Sequence, residues 1–78
     1  MSKAKHRRNE TAIAVLANNI RKYRQLRNLT IQELAFQLDA DYSQVGRMER
    51  GKVNFSVSLI FDLADALDIQ PGQLLERV

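Results

Sequence analysis

The 78 residues contain no cysteine. That excludes a disulfide framework and any cysteine-ligated metal site, and it suits a reducing compartment. The one histidine, His6, stands by itself near the start, so no histidine cluster is available for a metal. Ser43, Ser56 and Ser58 have no histidine base in the folded region. Asp62 and Asp65 fall on the outer side of a helical stretch, where solubility accounts for them. The three glycines, Gly46, Gly51 and Gly72, form neither a phosphate-cradling loop nor a dinucleotide fingerprint. No apolar run approaches the roughly 20 residues that a membrane span needs. The basic start, MSKAKHRRNE, leads into no uninterrupted apolar region of the signal-peptide kind. These absences predict a chain that is not an enzyme, carries no cofactor or metal, keeps away from membranes and works in the cytoplasm.

What is present is a strong charge asymmetry. Up to Arg27 there are eight Lys or Arg against one acid, Glu10; from Asn28 onward there are four against eight Asp or Glu. The net charge of +3 conceals this polarity. One end suited to an anion and another that is acidic fits a nucleic-acid-binding molecule, as it fits a basic tail beside an ordinary surface. The length allows one domain with a limited core, which a partner subunit would help to stabilise.

Helical periodicity runs through the chain, with no alternating strand-like segment and no repeat. Residues 1–9 are polar, basic and aperiodic, and read as a disordered arm. Such an arm is either a solvated tail or a segment that touches phosphates or a minor groove. A first helix is predicted over 10–27, with Asn9 as its N-cap and Ile13, Leu16, Ala17, Ile20 and Tyr23 on its inner stripe. Arg24 sits on that stripe; Arg21, Lys22 and Arg27 lie off it, free to be solvated. Leu29 plugs the connection that follows. Phe55 does the same for the loop 52–55. Ser56 caps a fourth helix whose inner stripe is Val57, Ile60, Leu63, Ala64 and Leu67. Pro71 opens a short last helix at its first position. The folded domain is predicted over 10–78.

The organising stretch is 30–51, TIQELAFQLDADYSQVGRMERG. Thr30 and Glu33 make a capping box, and Leu34, Ala35 and Leu38 share a face behind it. Asp41 and Gln44 repeat the arrangement for a second helix. Gly51 can end that helix with a positive φ. Two helices joined by about three residues are the geometry of a helix-turn-helix. At 100° per residue, Val45 and Met48 point inward with Glu49 beside them. Ser43, Arg47 and Arg50 point outward, and Gln44 and Gly46 take the flanks. A polar outer face on a short helix suits base edges in a major groove. Gly46 is odd inside a helix, where it costs about 1 kcal/mol relative to Ala. It either lets the helix approach nucleic acid closely or is a tolerated weak point. Arg24 and Glu49 each put a charge on an apolar stripe, and a buried charge needs a partner; they are predicted to pair.

These residues resemble a known family. Leu34, Leu38, Ala40, Val45 and Met48, with small Ala35 at the helix crossing, look like the helix-turn-helix of the phage lambda and 434 repressor and Cro (XRE-type) family. The strings IRKYRQLRNLTIQELA, VGRMERGKVNFS and LADALDIQPGQLL extend the likeness over roughly 16–75. The resemblance implies an all-α, five-helix, lambda-repressor-like DNA-binding domain. It points to the same Arg24–Glu49 pair and assigns the start and outer face of the second motif helix to base reading. Where the family usually carries Gly, this chain has Asn28, Asp39 and Asp68, the residue types that best tolerate the left-handed conformation. Where the family has Gln at the first position of the motif, this chain has Ile31, with Gln32 one residue later.

The function expected is sequence-specific binding of double-stranded DNA by a repressor-type transcriptional regulator. Ser43, Gln44 and Arg47 would read base edges. Gln32, Tyr42, Arg50, Lys52 and Asn54 would hold the phosphate backbone. Leu59, Phe61, Leu74, Leu75 and Val78 are apolar residues left over late in the chain. They are expected at a homodimer interface that lets two motifs meet a palindromic site. The rival reading is an antitoxin or adaptor of the same fold, with a toxin or another protein as partner.

Overall fold

The computed structural model describes residues 8–77 as five helices: α1 (Glu10–Leu26), α2 (Ile31–Gln37), α3 (Tyr42–Glu49), α4 (Val57–Leu67) and α5 (Pro71–Leu74). The fold is all-α and lambda-repressor-like. Residues 1–7, most of the expected arm with His6, and Val78 lie outside the described residues. The two arm residues within them are held in place. Asn9 caps α1 by accepting from the Ala12 N–H at 3.0 Å, and Arg8 Nη2 donates to the Gly51 carbonyl at 2.8 Å.

Local chemistry fixes each helix start. The Thr30–Glu33 box is complete: the Glu33 N–H donates to Thr30 Oγ1 at 3.0 Å and the Thr30 N–H to Glu33 Oε1 at 2.7 Å. At α3 the Asp41 N–H donates to Gln44 Oε1 at 2.8 Å, and at α4 the Leu59 N–H donates to Ser56 Oγ at 3.0 Å. Each contact satisfies an amide that the helix itself leaves orphaned. Three sharp reversals use left-handed backbone at Asn28, Asp39 and Asp68, with φ of 57°, 54° and 58°. Their short polar side chains make that region accessible without glycine.

The core is a single cluster in which Ile20, Leu34, Val45, Leu63, Leu67 and Leu74 are fully buried. Here α3 packs on α1 and α2, while α4 packs on α5, α1 and α2. Leu29, Phe55, Tyr23 and Ile60 are half-buried against the cluster. Two expectations need correction. Val57 is exposed, because at the first position of α4 it projects beyond the face that Leu63 and Leu67 bury. Leu74 is wholly inside, because α5 folds back against α1 and α4; it is a core residue and has no surface to offer a dimer.

The return of the C-terminus is secured by a buried amide. Asn19 Nδ2 donates to the carbonyls of Leu74 at 2.8 Å and Glu76 at 2.9 Å. Arg27 is exposed, as its place off the inner stripe predicts, and also caps α4: its guanidinium donates to the carbonyls of Leu67 at 2.8 Å and Asp68 at 2.7 Å. A cation there meets the negative end of the helix dipole.

Candidate nucleic-acid interface

The interface is built on α3. Its inner face, Val45, Met48 and Glu49, is buried, while Tyr42, Ser43, Gln44, Arg47 and Arg50 are exposed. Helix α2 lies behind it and sets its angle, with Leu34 and Ala35 in the crossing.

A bidentate ion pair locks α3 to α1. Arg24 Nε meets Glu49 Oε2 at 2.5 Å and Nη2 meets Oε1 at 3.0 Å, with Glu49 only 5% exposed. Arg24 Nη1 donates in addition to the Leu29 carbonyl at 2.8 Å, so one guanidinium also ties the α1–α2 connection. The hydrogen bond from Glu49 raises the Arg24 pKa above its ordinary value, against an opposing contribution from burial.

The C-terminal end of α3 is further neutralised. Arg21, which the sequence leaves off the inner stripe, donates through Nη2 to the Glu49 carbonyl at 2.6 Å. Arg8 does the same at Gly51. Both cations sit where the helix dipole is negative. Arg21 could have been found from its spacing: it lies three residues before Arg24 and so on a neighbouring part of the same helix surface.

The expected contact residues fall into distinct places. Among the described residues, the side chains of Ser43, Arg47 and Lys52 make no hydrogen bond or ion pair. Ser43 and Arg47 point away from the core. Gln44 is exposed, but its Oε1 is engaged by the Asp41 N–H, which leaves its amide NH2 to face outward. Tyr42 stands at the first position of α3, 61% exposed. Gln32 is exposed near the start of α2, beside the half-buried Ile31. Lys52 and Asn54 are exposed in the loop after α3.

Arg50 is bent back. The three atoms nearest to a Cβ built on Gly46 all belong to its guanidinium, with Nη1 at 3.0 Å. The glycine itself is buried. Phe61 and Leu75 are exposed, and Leu59 is half-buried against the core, in a hollow that it shares with Gln44, Arg47 and Met48. No group of three or more His, Cys, Asp or Glu is placed to hold a metal among the described residues. No helix among them is long and apolar enough to cross a membrane.

Two short helices crossing on a shared apolar seam, the second presenting an unengaged polar face flanked by cations, define a DNA-binding helix-turn-helix protein. Comparison with known proteins agrees with the geometry: the chain belongs to the helix-turn-helix family HTH_3, whose model matches residues 20–74. It is 35% identical over 63 residues to control protein C.SmaI of Serratia marcescens, covering 81% of this chain and 75% of that protein. It is 36% identical over 70 residues to control protein C.BamHI of Bacillus amyloliquefaciens, covering 78% and 86%. Among solved structures it resembles the restriction-modification controller protein C.AhdI of Aeromonas hydrophila, with a TM-score of 0.77, 38% identity and coverage of 82% and 97%. The chain is a DNA-binding transcriptional regulator of the XRE type, and the three relatives just named are control proteins.

Proposed function

We propose that this protein controls the genes of a restriction-modification system, as a homodimer bound to a palindromic operator. The observation that carries this reading is its likeness to three control proteins over more than three-quarters of its length. In this reading α3 enters the major groove. Arg47 makes a bidentate contact to guanine, and Ser43 and the Gln44 amide donate to neighbouring base edges. Gln32, Tyr42, Lys52 and Asn54 hold the phosphates on either side and fix the register. The action is of repressor type: a small DNA-bound domain occupies a promoter.

Dimerisation rests on size and surface. One short α3 reads only a few base pairs, and a two-fold axis doubles the contacts. Phe61 and Val57 on α4 and Leu75 at the turn ending α5 are exposed apolar residues, and Leu59 is half-buried. A seam there leaves both copies of α3 free to enter successive major grooves about 34–36 Å apart.

Selection of bound sites from a random duplex pool tests the reading. The expected motif is a palindrome with half-sites one helical turn apart, found ahead of a restriction endonuclease or methyltransferase gene. An asymmetric motif, or one that lies by no such gene, refutes it.

A further inference from the structure

Gly46 and Arg50 are one helical turn apart, so they share a strip of the α3 surface. Long side chains on a helix lean toward its N-terminus, over the preceding turn. Arg50 therefore lies along α3 toward residue 46. What it finds there is a position without a side chain. A Cβ at 46 would stand 3.0 Å from Nη1, 3.8 Å from Cζ and 3.9 Å from Nη2 of Arg50. The first distance is closer than an ordinary carbon–nitrogen contact. The glycine thus opens a seat, and the Arg50 guanidinium lies in it.

The seat changes which part of DNA the charge can reach. From its Cα at the end of α3, an extended Arg50 would point toward the rim of a groove, where Lys52 already stands. Folded back, it delivers its charge about 6 Å toward the N-terminus, four residues at the helical rise. That brings it from the end of α3 to the middle of the helix, nearer the N-terminal part that meets base edges. There the guanidinium lies against residue 46, next in sequence to Arg47, and among the described residues it makes no hydrogen bond or ion pair. Its planar donors are therefore available for a bidentate contact of the kind guanine accepts.

We infer that Arg50 is a specificity-determining residue that reads a base, and that Gly46 is the positioning residue that makes room for it. The inference rests on the DNA-binding reading and adds a second guanidinium to the base-reading set, in place of the phosphate role expected for Arg50.

The test is selection from a random duplex pool with the parent, Gly46→Ala and Arg50→Lys, alongside salt titration of binding to the parent's best site and thermal melting. Arg50→Lys keeps the charge and loses the planar fork. It is expected to relax preference at one base pair per half-site by about ten-fold, the size of one bidentate contact, with the salt slope unchanged. Gly46→Ala keeps Arg50 but occupies its seat. It is expected to relax the same base pair while melting no lower than the parent, a combination that a merely structural glycine would not give. If both variants select the parent's motif, Arg50 holds phosphate and the inference falls. If Arg50→Lys alone relaxes it, Gly46 positions nothing; if Gly46→Ala alone does, the glycine acts by itself, and either result overturns the pairing. A parent that enriches no sequence at all overturns the DNA-binding reading itself, a result distinct from these. Should Gly46→Ala fail to fold, Arg50→Lys still decides whether Arg50 reads a base, and an unchanged motif there refutes the inference.

Discussion

Glu49→Ala is expected to remove a large part of the stability of this domain. The Glu49 carboxylate is almost wholly buried and accepts two hydrogen bonds from Arg24, whose side chain is 13% exposed. Truncation leaves Arg24 Nε and Nη2 without their acceptor, while Nη1 keeps the Leu29 carbonyl, and it removes the counter-charge of Arg21, whose Nε lies 3.8 Å from the same carboxylate. Breaking a buried pair from one side costs about 3–5 kcal/mol. At about 0.05–0.15 kcal/mol per residue, a domain of this length holds roughly 4–12 kcal/mol in all. If the parent lies at the low end of that range, the variant sits near its unfolding midpoint in water; at the high end it keeps more than half of the stability. Urea unfolding followed by circular dichroism measures the loss directly, provided the transition stays two-state. The double replacement Arg24→Met with Glu49→Leu should recover most of it, since an apolar pair of similar volume leaves no uncompensated charge. The pH dependence has a definite sign. Arg24 has a raised pKa in the fold, so its contribution is complete below the ordinary arginine value and is lost only as pH rises past the raised one. Both lie in strong alkali, and the Arg24 contribution should be flat from neutral to moderately alkaline pH. A loss below about 1 kcal/mol for Glu49→Ala, the size of an exposed pair, would refute the reasoning. So would a double variant as unstable as the single one.

Five other substitutions separate the remaining roles. Arg47→Ala should weaken the preferred site by about 1–3 kcal/mol and relax specificity at one or two base pairs, whereas Lys52→Ala should weaken all sequences alike and flatten the salt dependence; identical uniform losses in a binding titration would remove Arg47 from base reading. Phe61→Glu should shift the protein toward monomer in light scattering at tens of micromolar, roughly the range of a modest dimer, and a parent already monomeric there and binding DNA one-to-one would count against the dimer. Asp39→Ala should lose about 1–2 kcal/mol, the cost of a left-handed residue without a compensating side chain, while Asp39→Gly should lose little; equal losses on thermal unfolding would show that backbone conformation at this turn is not what matters.

The sequence by itself determined the helices, their starts and the place of the motif, because those depend on residues within one turn of each other. Thr30 with Glu33, Asp41 with Gln44, and Ser56 before Val57 are contacts three residues apart or less, readable without knowing the fold. The left-handed turns at Asn28, Asp39 and Asp68 were legible through the family resemblance, which puts Gly at those positions, together with the tolerance of Asn and Asp for that conformation. Arg24 and Glu49 are 25 residues apart, yet each stands out as a charge on an apolar stripe with one obvious complement. Contacts that break no pattern left no such trace. Arg21 on the Glu49 carbonyl, Arg27 on the end of α4 and Asn19 on the end of α5 span 28, 40 and 55 residues. Each donates to a backbone carbonyl, an acceptor that every residue carries, so no sequence signal marks the partner. Periodicity likewise shows which side chains share one helix face, but not how far a neighbouring helix extends over that face. That is why Leu74 is core and Val57 is not. The tertiary structure alone decided these points, because each depends on where one helix end lies against the side of another.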